Sequence, residues 1–135
     1  MANETPASTA TTHQPDVLSE RCPSRQLLNH VTSRWGVLVL ICLRDKTLRF
    51  SALRRTIGGV SERMLAKTLQ TLEADGFVLR KSYNVVPPHV EYSLTPIGRE
   101  VSGHVETLAR CLEANLVELL AGGAAEIWNH DRLPQ

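Results

Sequence analysis

The chain has little of what marks the commonest chemistries. Among 135 residues there are three cysteines, Cys22, Cys42 and Cys111, and no two of them form a CxxC pair. An odd, unpaired set argues against a structural disulfide framework, so any disulfide here is conditional. These cysteines and the five histidines show no zinc-like spacing, and no metal or cofactor is implied. The longest apolar run, VLVLICL from Val37 to Leu43, is far short of the ~20 residues that span a bilayer. Residues 1 to 15 lack the basic and apolar regions of a signal peptide, so the expectation is a cytoplasmic protein with no membrane partner.

An excess of one charge is also missing from the total, which is +1. Its distribution is uneven: residues 21 to 81 carry twelve Lys or Arg against four Asp or Glu, or +8, and the remainder carries three against ten, or −7. Either two opposed faces happen to balance, or a basic surface for nucleic acid rides on a body kept soluble by acidic helices. With 42% hydrophobic and 21% charged residues, the composition is that of one ordinary globular domain.

The leader MANETPASTATTHQPD, residues 1 to 16, is polar, has no hydrophobic period and is expected to be mobile. A folded domain over 17–121 and a tail over 122–135, docked by Ile127 and Trp128, complete the expected organisation. From Pro23, the positions Leu27, Leu28 and Val31 suit a short helix. A second, with Trp35, Leu38, Val39 and Cys42, is apolar enough to be buried, and Cys42 reads as a small core residue. RDKTLRF then includes a short extended segment.

SALRRTIGG is a short helix beginning near Ser51, with Leu53 and Ile57 inward, ended by Gly58 and Gly59. Ser61 caps a longer helix that stops at Gly76, whose Leu65, Leu69 and Leu72 form one buried stripe. This order matches a helix-turn-helix, although paired amphipathic helices also occur in proteins that never touch DNA. FVLRKSYNVVPPHVEYSL follows as two strands around a stiff tip, which is the wing of a winged helix or else an edge hairpin that only covers the core. The expected DNA contacts are Arg54, Arg55, Ser61, Arg63, Met64, Lys67 and Gln70 on the helices and Lys81, Tyr83 and Asn84 on the wing, with Arg80 and His89 also in reach of phosphate.

Thr95 and Pro96 start a final helix of ~25 residues. Its stripe Ile97, Val101, Val105, Leu108, Leu112, Leu116 and Leu119 is longer than such a domain can cover alone. The expected fold class is therefore mainly α (α+β): a winged helix-turn-helix with a two-stranded wing and additional N- and C-terminal dimerisation helices. Leu27, Val105, Leu108, Leu112 and Leu116 are the expected dimer-interface residues, with Cys111 beside them.

Cys22 precedes Pro23 at the N-cap of the first helix, between Arg21 and Arg25. The helix dipole and both arginines would favour a thiolate there, which makes it a candidate reactive thiol; an inert capping cysteine is the plain alternative.

Four segments in order, CPSRQLL, RWGVLVLICL, RFSALRRTIGGVSERMLAKTLQTLEADGFV and PPHVEYSLTPIG, resemble the HxlR family of bacterial winged-helix transcriptional regulators, its YtfH-type members most of all. Together they span more than half the chain. Family members often carry GGKW where this chain has TSRW, a subfamily variation without consequence for DNA binding. The resemblance implies a homodimer formed by the terminal helices, recognition helices in two major grooves of a double-stranded operator, and a CP cysteine that senses oxidants or electrophiles in responsive members. Cys22 and Cys111 are then the redox-sensing residues, since Cys111, on the dimerising helix of the other subunit, is the favoured partner for a disulfide.

The function so implied is a sequence-specific DNA-binding regulator, a homodimeric repressor switched at Cys22 by an oxidant or electrophile. The alternative within the family is a regulator switched by a small-molecule ligand, with Cys22 only structural. From other classes, a thiol enzyme lacks a histidine at an informative local spacing from Cys22 and is not expected. A protein-interaction winged helix without DNA affinity fits poorly with a basic recognition helix.

Overall fold

A computed structural model of the chain describes residues 14–124. The expectations for most of the leader and for Ile127 and Trp128 lie outside the described residues.

Each element begins where local chemistry allows it. Pro23 opens α1 (Pro23–Val31), since a first-turn residue needs no N–H partner. Ser33 caps α2 (Arg34–Cys42) by accepting the Gly36 N–H. After β1 (Leu48–Arg49) comes α3 (Phe50–Thr56), which starts one residue earlier than the Ser51 expected. Ser61 caps α4 (Glu62–Ala74), its hydroxyl accepting the Met64 N–H at 3.1 Å. Gly76, at φ +91°, takes the left-handed turn that ends α4. The wing strands β2 (Val78–Tyr83) and β3 (His89–Leu94) follow.

Thr95 then caps α5 (Pro96–Ala114) by accepting the Gly98 N–H, and its hydroxyl donates to the Gly76 carbonyl at 2.6 Å. One side chain thus fastens the end of α4 to the start of α5. The single long final helix expected from its apolar stripe is instead two: α5 ends at Ala114, and α6 (Leu116–Leu119) continues into a π-helical turn over Leu120–Ala124. Asn115 stands at the break, at φ −105° and ψ 13°. The Cys111 carbonyl accepts both its backbone N–H at 3.2 Å and its side-chain amide at 2.8 Å.

The sheet is antiparallel in the order β1-β3-β2, so the two-stranded wing gains a third strand at its base. The short extended segment expected in RDKTLRF is this strand, with Leu48 opposite Tyr92 and Arg49 opposite Glu91.

The core is built around α2. Val39, Leu40 and Leu43 are buried against Leu53 of α3, the Leu65, Leu69 and Leu72 stripe of α4, and Val105 of α5. Leu38, expected inside with its neighbours, is exposed, so α2 keeps one face outside the core. Val60, in the turn between α3 and α4, is also buried and holds that turn to the core. Ser102 is the one buried polar side chain among the described residues, and it donates to the Leu40 carbonyl at 2.7 Å. That bond satisfies a group whose burial would otherwise be costly, and it fixes α5 on α2.

Candidate nucleic-acid interface and reactive thiol

The leucine stripe of α4 determines what its other side can do. With Leu65, Leu69 and Leu72 inward, Arg63, Lys67 and Gln70 at spacings of four and three share the outward face and are exposed. Met64 is partly exposed beside them. Ser61 spends one lone pair on its cap, leaving its hydroxyl hydrogen free to donate. Arg55 is exposed at the end of α3. Arg54 is exposed too but bound: its guanidinium donates to the Glu62 carboxylate at 2.9 Å across the turn.

On the wing, register places Lys81 opposite Glu91 and Tyr83 opposite His89. Directly opposed side chains project from the same face, so these four and Arg49, opposite Glu91 on its other side, share one surface. The Tyr83 hydroxyl donates to Glu91 at 3.1 Å, and the His89 ring Nε2 lies 2.7 Å from its other oxygen. The Lys81 ammonium sits 5.0 Å above the Tyr83 ring. The His89 hydrogen bond first, then Tyr83 and the nearby cationic charges, hold the Glu91 carboxyl below the usual carboxylate range. Asn84 is exposed just beyond β2, and the wing tip Val85 and Val86 is exposed and apolar.

Residue patterning had no means of finding Glu62 and Glu91 as partners of these basic groups. His89 and Glu91 are recognisable as same-face neighbours by alternation, but the pairing of Arg54 with Glu62 crosses a turn that carries no period.

The second candidate site is Cys22. It occupies the N-cap of α1 in extended conformation, as expected, yet its sulfur makes no cap bond to the helix. It lies 2.9 Å from the Ser24 hydroxyl and accepts the Asp16 N–H at 3.3 Å. The Ser24 hydroxyl above all, then the N–H of Asp16, hold the thiol below its ordinary range. The Arg25 guanidinium, expected to contribute its charge, donates to the Leu18 carbonyl at 3.4 Å. The thiol is half-buried in an open cleft lined by Pro15, Asp16, Ser19, Pro23 and Leu27. By contrast, burial pushes the Cys42 thiol up, in keeping with its place against the core.

Cys111 is exposed on α5, next to Leu108 and Leu112. Of the expected dimer residues, Leu27, Leu108, Leu112 and Leu116 are exposed, at 38%, 56%, 52% and 48%. Val105, at 8%, is a correction: it faces its own core, because the stretch of α5 that packs on α2 ends near it. Among the described residues no group of three metal-ligating side chains gathers, and no helix is long and apolar enough to cross a membrane.

A short helix, a tight turn, a second helix with a basic outer face and a β-hairpin behind it make a winged helix-turn-helix, the architecture of DNA-binding transcription regulators. Within that class the chain belongs to the HxlR-like helix-turn-helix family, whose model matches residues 30–119. It is 63% identical over 106 residues to the HTH-type transcriptional regulator YtfH of Escherichia coli (strain K12), itself uncharacterised, covering 78% of this chain and 84% of that one. The solved structure of ytfH from Salmonella typhimurium superposes with a TM-score of 0.76 at 61% identity, covering 81% of this chain and 97% of that one. The redox regulator HypR in its oxidised form superposes with a TM-score of 0.64 at 37% identity, over 70% of this chain and 97% of HypR.

Proposed function

We propose that this transcription regulator is a cytoplasmic homodimer that binds a double-stranded operator as a repressor and is released by oxidation or electrophile modification of Cys22. In this reading Arg63, Lys67, Gln70, Met64 and Ser61 enter the major groove, Arg54 and Arg55 approach the flanking phosphates, and Lys81, Tyr83 and Asn84 meet the backbone or minor groove. The observation that carries the switch is the polarised thiol: a half-exposed sulfur held by the Ser24 hydroxyl and the Asp16 N–H at the root of α1. Its likeness to a redox regulator solved in oxidised form supports the same reading.

With a hydroperoxide as oxidant, the thiolate attacks the O–O bond and becomes a sulfenic acid as the peroxide leaves as alcohol or water. The thiol of Cys111 of the partner subunit then displaces the sulfenic oxygen as water, leaving a disulfide between subunits. A quinone instead adds to the thiolate and leaves a thioether.

Non-reducing electrophoresis after diamide or peroxide tests the switch. A covalent dimer lost in both Cys22→Ser and Cys111→Ser is the expected result, accompanied by release of DNA that a reductant reverses. If Cys22→Ser still releases DNA in response to oxidant as wild type does, the sulfur is only a helix cap.

A further inference from the structure

The surface assigned to DNA carries two carboxylates within its set of cations. Glu62 opens the recognition helix and accepts the Arg54 guanidinium at 2.9 Å. Glu91 stands on the central strand of the wing, with Arg49 and Lys81 as its cross-strand neighbours and with the Tyr83 hydroxyl and the His89 ring on its two oxygens. A carboxylate offers the same planar pair of anionic acceptors that a phosphate offers to arginine, histidine or a hydroxyl. Neither glutamate is required by the core, since Glu62 is exposed and Glu91 lies on the wing face.

We propose that Glu62 and Glu91 act as internal stand-ins for DNA phosphates: they occupy the donors of Arg54, Tyr83 and His89 in the free protein and hold down its affinity for DNA of arbitrary sequence. The inference rests on the DNA interface assigned above.

The physical reason lies in what non-specific binding is made of. It is supplied almost entirely by cations neutralising phosphates, so every cation already neutralised within the protein contributes less. A phosphate must displace the carboxylate before it gains the donor, and the displaced carboxylate is then left near the DNA backbone. Base contacts from Arg63, Lys67 and Gln70 are untouched by this competition, because among the described residues none of the three is ion-paired. The two glutamates therefore lower the electrostatic background against which the operator is selected.

The test uses the full-length protein and a short duplex of random sequence, with fluorescence anisotropy read over a range of salt concentrations. Glu91→Gln and Glu62→Gln are each expected to tighten binding several-fold, and Glu62→Gln, which frees the Arg54 guanidinium, to steepen the salt dependence by about one unit of slope. The double variant should exceed either. Glu62→Gln changes an exposed helix start and leaves the sheet intact, so it keeps the test sound if Glu91→Gln disturbs the wing. Unchanged or weaker duplex binding in both variants overturns the inference, since it would make the carboxylates mere positioning groups. Absence of duplex binding by wild type at low salt, unaltered in Lys81→Ala, overturns the interface itself and this inference with it.

Discussion

At Cys22 the polarising groups are a hydroxyl two residues away and backbone N–H donors, and they act through the sulfur directly. A hydrogen bond to the thiolate favours the charged form, whereas the charge of an exposed arginine engaged with the Leu18 carbonyl is screened. Alkylation by iodoacetamide as a function of pH should therefore show Cys22 reacting with an inflection below the ~8.5 of a free thiol, and Cys42 with one above it. Ser24→Ala should move the Cys22 inflection upward, slowing its reaction at neutral pH; Arg25→Ala should leave it nearly in place. An inflection that follows Arg25 and ignores Ser24 would reverse this assignment. The effect of Ser24 is local, but it depends on a rotamer and a leader backbone that bring Oγ and the Asp16 N–H to the same sulfur.

Among the elements, the proposed DNA interface divides between α4 and the wing. Arg63 lies on the outward face of α4 and Lys81 on the wing sheet, so their removal should have different signatures. Arg63→Ala should cost about 1 to 3 kcal/mol and relax base preference at one operator position, while Lys81→Ala should weaken all sequences alike and flatten the salt dependence by about one. Selection from a random duplex library followed by salt titration reads both. How the wing meets the core has its own check at Gly98. A Cβ there would fall inside the van der Waals envelope of the Phe77 carbonyl, where the start of α5 crosses the junction of α4 and β2. That carbonyl also accepts the Thr95 N–H at 3.1 Å, so it cannot retreat freely. Gly98→Ala should destabilise by about 1 to 3 kcal/mol or more, measured by urea denaturation, whereas the same change at exposed Gly58, with nothing near its Cβ, should cost far less.

For the whole molecule, the question is what covers the far half of α5 and α6. Leu108, Leu112 and Leu116 remain about half exposed in the protomer. Three large apolar side chains along one helical stripe, continuous with exposed Leu119, suit a self-complementary helix face in a two-fold dimer. Leu112→Glu should leave the protomer folded, because this side chain is outside the core, yet yield monomers in sedimentation at micromolar concentration and abolish operator binding. A wild-type monomer under those conditions would refute the dimer. If the dimer forms, its two recognition helices should contact half-sites about 34 to 36 Å apart, or a multiple of that spacing, which a footprint would show.

Helices, caps and stripes were legible in the sequence because they depend on residues three or four apart. Ser61 and Thr95 before their helices, Gly76 after α4, and Leu65, Leu69 and Leu72 along it are local statements, and the ordered set points to a winged helix before any contact is known. The helix-turn-helix and the wing were readable for the same reason, as was the candidate thiol beside Pro23. Tertiary structure alone decided the matters that depend on register and on where one element ends against another. Val105 and Leu112 belong to one stripe, yet the first is core and the second surface because α2 covers only the first part of α5. His30 meets Asp75 at 2.5 Å, joining α1 to the end of the recognition helix across 45 residues, and Ser102 reaches the Leu40 carbonyl across 62. Glu91 stands between Arg49 and Lys81 only because β1 and β2 pair on either side of β3 in that register. A period along the chain specifies which face a residue takes; the partner on that face is specified by packing between segments that no local period relates.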